Sequence, residues 1–319
     1  MQTALVAGGA GFIGSHLCGA LLNQGYKVIC IDNFLTSEKE NISRHENNEN
    51  FSLIEKDIIN LNPNDLPEFD FLFHLASPAS PNAKSSRSYV AYPIETLLVN
   101  SRGTYNLLEA AKKNNAKFLY ASTSEIYGDP AVSPQSEDYF GNVNPNGVRS
   151  VYDEAKRFGE AITSAYVRKH DLDGRIVRIF NTYGPLMRAD DGRVVSNFIS
   201  QALLNSPITI YGDGKQTRSF CFITDMIDGI LMAMFSENTK GEVMNLGNPD
   251  ERSILEIADI IKELTKSTSE IVNESLPPDD PKERKPDISK AKRILGWEPK
   301  VTLSEGLEKT VEYFRNENG

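Results

Sequence analysis

Apolar residues along the chain fall into short β-rich runs, separated by longer stretches in which they recur every three or four positions. The runs Thr3–Ala7, Lys27–Ile31, Phe51–Ile54, Phe71–His74 and Lys117–Ala121 predict strands, and the stretches between them predict helices from Phe12, from about Pro93 to Asn115 and from Ser150. Strand, helix and strand in repeated succession predict an α/β fold, a parallel sheet covered by helices on both faces. A further run, Arg175–Ile179, is expected to complete that sheet. Beyond Asn181 the texture changes to Gly-, Pro- and Asp-rich loops between shorter elements, with strands at Ile208–Tyr211 and Glu242–Leu246 and helices at Ile254–Thr265 and Leu303–Arg315. The chain is therefore expected to divide into an α/β domain over 1–181, rejoined by a helix near 225–236, and a smaller substrate-binding lobe over 182–319. The polar run Pro277–Pro286 has the proline and charge content of a linker.

Composition narrows the function. With 39% hydrophobic and 24% charged residues in 319, the chain has the make-up of a globular protein with a sizeable core. A formal charge of −10 argues against a nucleic-acid or anionic-membrane binder, whose footprint is a basic excess. Three dispersed cysteines (Cys18, Cys30, Cys221) indicate neither a disulfide framework nor a zinc site, and the four histidines show no metal-ligand spacing. The chain opens directly on a strand-like run and has no uninterrupted apolar stretch near 20 residues, so a cytoplasmic location and no metal are expected.

Chemistry enters with Gly8-Gly9-Ala10-Gly11-Phe12-Ile13-Gly14, which follows the first strand and opens a helix. Missing side chains let backbone approach a pyrophosphate, and the helix N-terminus offers free amides and the positive end of a dipole. The spacing is Gly8-x-x-Gly11-x-x-Gly14. Asp32 ends the second strand, where a carboxylate accepts from both ribose hydroxyls and repels a 2′-phosphate, so NAD is expected rather than NADP. Together these features predict a doubly wound, Rossmann-type sheet. Asp57, after the third strand, is a candidate for the adenine amine. Ser122-Thr123-Ser124-Glu125 follows the fifth strand at the carboxyl edge of the sheet, where open α/β proteins bind ligands. Its hydroxyls suit a substrate alcohol, and Glu125 adds a carboxylate.

Tyr152 and Lys156 stand four apart at the start of a helical stretch and so share a face. An ammonium beside a phenol lowers the tyrosine pKa and yields a base usable near neutral pH. The spacing alone is weak, since 12 Tyr and 19 Lys give roughly 0.7 such pairs by chance, and Tyr211–Lys215 is another. The second pair encloses two glycines and reads as a turn.

Gly8–Gly14, Thr123 with Tyr152 and Lys156, Arg178-Ile-Phe-Asn-Thr-Tyr-Gly-Pro185, Tyr211-Gly-Asp-Gly and Leu295-Gly-Trp-Glu-Pro299 resemble the extended short-chain dehydrogenase/reductases that act on nucleotide sugars, over essentially the whole chain. Ser122-Thr-Ser-Glu-Ile-Tyr-Gly-Asp-Pro130, Gly141-Asn-Val-Asn-Pro145, Asp191-Gly-Arg-Val-Val-Ser-Asn-Phe198, Thr217-Arg-Ser-Phe-Cys-Phe222 and Arg284-Lys-Pro-Asp287 bring the resemblance closest to the UDP-glucuronate decarboxylases. The resemblance implies NAD-dependent conversion of UDP-glucuronate to UDP-xylose through a 4-keto sugar, the hydride being returned to the product. It implies catalytic roles for Thr123, Glu125, Tyr152, Lys156 and Arg284. It places the cofactor against Gly8, Gly11, Phe12, Ile13, Gly14, Asp32, Asn33, Asp57, Ile58, Leu75, Ala76, Asn100 and Ser122 as well as Tyr152 and Lys156. The substrate falls to Asn181, Arg193, Asn197, Tyr211, Arg218 and Arg284. It also implies a homodimer through the helices at about 93–115 and 150–169, with Leu97, Leu107, Leu108, Phe158 and Ile162 as compatible apolar positions.

Two stretches depart from the decarboxylase pattern. Leu98-Val99-Asn100 stands where those enzymes carry Lys-Thr-Asn, and Asn82–Tyr92 is longer; both are expected near the sugar site. A 4-epimerase or 4,6-dehydratase shares the oxidation step. Dehydration calls for an adjacent Asp-Glu pair where this chain has Ser124-Glu125, and an epimerase has no need of a carboxylate at Glu125. A non-catalytic NAD-binding regulator is the remaining alternative, and the presence of Thr123, Tyr152 and Lys156 argues against it.

Overall fold

The strand-forming runs assemble side by side, and their order creates the crevice in which the candidate residues meet. The structure, a computed structural model, describes residues 1–82, 85–275 and 283–317. Its sheet contains β1 (Thr3–Ala7), β2 (Lys27–Asp32), β3 (Phe51–Glu55), β4 (Phe71–His74), β5 (Lys117–Thr123), β6 (Gly174–Ile179) and β7 (Val243–Leu246). They lie in the order β3-β2-β1-β4-β5-β6-β7, every pair parallel. The chain winds outward one way from β1 and the other way from β4. Ala7 and His74 are paired neighbours, so the loops leaving β1 and β4 diverge and open a cleft at the switch point.

Side chains alternate between two buried faces, as a sheet covered on both sides requires. From β1, Ala4 and Val6 join one apolar cluster with Val28, Phe73 and Val177, while Leu5 and Ala7 join the other with Ile29, Leu72 and Phe118. The first cluster is covered by α1 (Phe12–Asn23) and a later helix, Ile223–Phe235; the second is covered by Thr104–Asn114 and the long helix Ser150–His170. Here the structure corrects one expectation. Arg175–Ile179 does not complete the sheet, because Val243–Leu246 pairs beside it, from Val243↔Ile176 to Leu246↔Ile179. The intervening loops and helices put that strand too far away in sequence for its partner to be legible.

The expected helix over about 93–115 is not uniform. It runs as α2 (Pro93–Leu98), a π-helical turn (Val99–Gly103) and α3 (Thr104–Asn114). Such turns displace the chain by one residue and recur at functional sites. This one buries Asn100, which donates to Ser77 Oγ (2.8 Å) and accepts from Tyr120 Oη (3.0 Å). The long helix Ser150–His170 is α4, Val194–Leu203 is α5 and Ile223–Phe235 is α6.

Beyond β6, short strands build the remaining frame. Thr217–Ser219 pairs antiparallel with Glu251–Ser253 and parallel with Glu283–Arg284, a register that sets Arg284 beside Arg218. The proline-rich run around them is thus anchored at its end, with Arg284 only 1% exposed, while its residues 277–282 lie outside the described residues. Among the described residues no helix is long and apolar enough to cross a membrane.

Candidate active site

The glycine loop is shaped to admit backbone-close ligands. Gly8 has φ +80°, and a Cβ there would lie 2.6 Å from Ala76 N; one on Gly14 would lie 2.1 Å from Gly8 O. Gly11 precedes α1 in an extended conformation and puts no side chain over the first-turn amides. The adjoining cleft is lined by Gly8, Gly11, Asp32, Asn33, Asp57, Ile58, Leu75 and Ala76. Phe12 and Ile13 pack half-buried against the core below. Asp32 is 8% exposed, accepting from Ala10 N (3.0 Å), Phe34 N (3.0 Å) and Ser37 Oγ (2.7 Å). Asp57 accepts from Asn33 Nδ2 (3.2 Å) and Ile59 N (2.9 Å). A side-chain-free cradle at a helix N-terminus, with a carboxylate fixed at the end of β2, fits a dinucleotide without a 2′-phosphate.

Expectations about the serines change. Alternation along β5 sends Ser122 away from Thr123, and its Oγ donates to Glu160 Oε1 (2.5 Å), which holds Arg178 through two contacts of 2.9 Å. The Ser122 hydroxyl is therefore engaged in this buried ion pair. Ser124 is 2% exposed and gives its carbonyl to Arg284. Thr123 is the hydroxyl that hydrogen-bonds the Tyr152 phenol.

Tyr152 and Lys156 lie on one face of α4 and are both buried, at 7% and 3% exposure. Lys156 Nζ donates to Ala121 O (2.8 Å) and lies 5.7 Å from the Tyr152 ring centroid. Burial pushes the Tyr152 phenol up to about 12, against the pull of Arg193 and Thr123, and the charges of Glu125 and Asp153 add to the rise. Burial likewise lowers Lys156 to about 7. The pairing expected to make Tyr152 a ready base thus does not do so unaided, because desolvation disfavours the charged forms of both partners.

Glu125 contacts Arg149 Nη2 closely and Arg284 Nη2 at 3.5 Å. Burial tends to raise its carboxyl, but Arg284 and Arg149, with Arg218, hold it below the usual range. Asp153 is 5% exposed in the same cluster. Arg193 donates to Ala79 O (2.8 Å), and its charge is the strongest pull on the Tyr152 phenol. Asn181, Asn197 and Tyr211 are half-buried on three separate elements: after β6, within α5 and at the end of Ile208–Tyr211.

Three neighbours escaped the sequence reading. Arg149 has no motif of its own, although its place one turn before Tyr152 and Asp153 was a usable signal. Asp153 hid beside the tyrosine. Tyr89, in the 82–92 segment, stacks on Tyr152 with centroids 5.0 Å apart and planes 7° apart, and its hydroxyl is buried without a partner. Through Tyr89 that segment reaches the site, while its residues 83 and 84 lie outside the described residues. Leu98 does not fit the same expectation: it is 40% exposed, on an apolar surface with Ile94 and Leu97.

A Rossmann-type sheet with a glycine cradle, an acidic residue at the end of β2 and a Thr-Tyr-Lys set at its carboxyl edge defines a nicotinamide-dependent enzyme of the short-chain dehydrogenase type. The chain belongs to the NAD dependent epimerase/dehydratase family, whose sequence profile matches residues 4–247. It is 50% identical over 313 residues to UDP-glucuronic acid decarboxylase 1 of Xenopus tropicalis, covering 98% of this chain and 72% of that protein. It is also 50% identical over 311 residues to UDP-glucuronic acid decarboxylase 4 of Arabidopsis thaliana (98% and 68%). Among solved structures, UDP-glucuronic acid 4-epimerase from Bacillus cereus in complex with UDP-glucuronic acid and NAD matches with TM-score 0.89 at 34% identity, covering 99% of this chain and 100% of that one. UDP-glucose 4-epimerase from Thermotoga maritima matches with TM-score 0.89 at 32% identity, with both chains fully covered.

Proposed function

We propose that this protein decarboxylates UDP-glucuronate to UDP-xylose. The observation that carries the reading is the Glu125–Arg149–Arg284 cluster beside Tyr152, in a chain half-identical to proteins named for that activity. Arginine suits the sugar carboxylate because its planar fork donates paired hydrogen bonds. Gly8, Gly11, Gly14 and Asp32 would hold NAD, which when bound supplies the hydride chemistry at C4. Tyr152, hydrogen-bonded to Thr123, takes the proton of the sugar 4-hydroxyl and later returns it. The 4-ketone stands β to the C6 carboxylate, so carbon dioxide leaves with its electron pair delocalised into an enolate. Arg284 and Arg149 orient the carboxylate, and protonation at C5 completes the exchange of CO2 for a proton.

We read residues 1–181, with the returning helix near 225–236, as the NAD-binding part and 182–319 as mainly the sugar-nucleotide part. The substrate roles of Asn181, Arg193, Asn197, Tyr211 and Arg218 belong to this reading. A homodimer is supported by exposed Ile94, Leu97, Tyr105 and Phe158 on α2, α3 and α4, whereas Leu107 and Leu108 are fully buried in the core. Three free, buried cysteines support the cytoplasm as its compartment. The likeness to a UDP-glucuronic acid 4-epimerase favours epimerisation of the same acid as the second reading.

Proton NMR of the anomeric signals separates the two. The protein mixed with UDP-glucuronate and NAD should form UDP-xylose, and Tyr152→Phe and Glu125→Ala should abolish it. Accumulation of UDP-galacturonate without loss of the carboxylate would sink the decarboxylase reading and install the epimerase.

A further inference from the structure

The cluster beside Tyr152 contains one carboxylate more than the proposed chemistry uses. Asp153 follows Tyr152 on α4, is 5% exposed, and its Oδ1 has no hydrogen-bond partner. The charged groups facing it are Glu125 from the turn after β5, Arg149 and Glu154 from its own helix and that helix's start, and Arg284 from the Glu283–Arg284 strand; the Tyr89 and Tyr152 phenols both feel its charge. Glu154 is half-exposed and paired with Arg157, which leaves it a minor influence, whereas the buried Arg218 adds a third guanidinium on the Glu125 side.

Each carboxylate that ionises here lowers by one unit the positive charge that Arg149, Arg284 and Arg218 present to an anionic sugar. A neutral Asp153 leaves that charge one unit more positive than an ionised one. Solvation points the same way, because an ionised carboxylate with a buried, unpaired oxygen costs several kcal/mol more than its neutral form. Burial, then the charge of Glu125, raise Asp153 to about 7, whereas the arginines hold Glu125 low. Two carboxyls whose environments drive them apart commonly have separate tasks.

We propose that Asp153 is a specificity-determining residue that works as a neutral acid: protonated, it leaves the arginines around Glu125 one unit more positive toward the C6 carboxylate of the substrate, and ionised, it repels that carboxylate. The inference rests on the decarboxylase reading. Affinity for the acidic sugar is then full below the titration of Asp153 and lost as pH rises through it, with no counterpart for a sugar whose C6 is an uncharged hydroxymethyl group.

The experiment is steady-state kinetics with NAD at about pH 6 and about pH 8.5, on the wild type and Asp153→Asn. It measures KM for UDP-glucuronate and the inhibition constant of UDP-glucose. In the wild type, KM should rise about fivefold or more between the two pH values, while the UDP-glucose constant moves less than about twofold. Asparagine mimics the neutral acid, so the variant should hold its low KM at both. Titration of Lys156 or Tyr152 is common to both proteins and both sugars and drops out of the comparison. A flat KM in the wild type, equal rises for the two sugars, or the same alkaline rise in Asp153→Asn each overturn the proposal. Should Asp153→Asn fail to fold, the two-sugar comparison in the wild type decides alone. Absence of UDP-glucuronate decarboxylation at every pH would instead overturn the functional reading, whereas turnover with a flat KM overturns only the role of Asp153.

Discussion

Lys156 sets function against stability. Its side chain is 3% exposed and burial brings its pKa from 10.5 to about 7, with Glu160 opposing the fall. At about 1.36 kcal/mol per pH unit, holding that ammonium inside the cofactor-free protein costs about 5 kcal/mol at low pH. Replacement by methionine, which is similar in length and uncharged, removes the penalty. It also removes the 2.8 Å hydrogen bond to Ala121 O, worth about 1 kcal/mol. The cation–π contacts at 5.1 Å to Tyr120 and 5.7 Å to Tyr152 are lost too, for about another 1 kcal/mol. Lys156→Met is therefore expected to be inactive yet about 2–3 kcal/mol more stable near pH 6. Between about 7 and 10.5 the unfolded chain keeps a proton that the folded chain has released, so wild-type stability climbs with pH through that window. The advantage of the variant should shrink to near zero by about pH 10, because the folded lysine is neutral by then and only the hydrogen bond is left for the substitution to remove. Urea unfolding of the NAD-free proteins at several pH values reads this directly. A methionine variant less stable than wild type near pH 6, or an advantage that does not shrink with pH, would refute the reasoning.

Gly14→Ala puts a methyl group 2.1 Å from Gly8 O; opening of the loop should weaken NAD binding about tenfold or more, measured by calorimetric titration, and unchanged affinity would show that the loop yields freely. Glu160→Ala strands Arg178, whose side chain is 10% exposed against 14% for its partner, and should cost about 3–5 kcal/mol in urea unfolding, whereas a loss under about 1 kcal/mol would mean that water reaches the guanidinium. Arg149→Ala removes the closest cation from Glu125 and should lower kcat/KM for UDP-glucuronate about a hundredfold; an effect within twofold would take Arg149 out of the site.

Much of the Rossmann core was open to reading because its determinants are local. Apolar runs of strand length alternating with helical periodicity specify β1 to β6 and α1, and the fit extends to boundaries such as Thr3–Ala7 and Phe71–His74. Gly8 and Gly14 announce a close approach of backbone to backbone, and Asp32 ends its strand whatever the tertiary detail. The i, i+4 spacing is enough to put Tyr152 and Lys156 on one face. What the sequence could not convey depends on charges and neighbours brought from far along the chain. Arg284 meets Glu125 across 159 residues because a two-residue strand pairs beside Thr217–Ser219. Val243–Leu246 displaces β6 from the sheet edge for the same reason. The π-helical turn, the outward position of Leu98 and the stacking of Tyr89 on Tyr152 follow from packing rather than propensity. Above all, the protonation of the site is a tertiary property: spacing argued for a lowered Tyr152, but burial governs Tyr152, Lys156 and Asp153, and only the fold decides how much water each one loses.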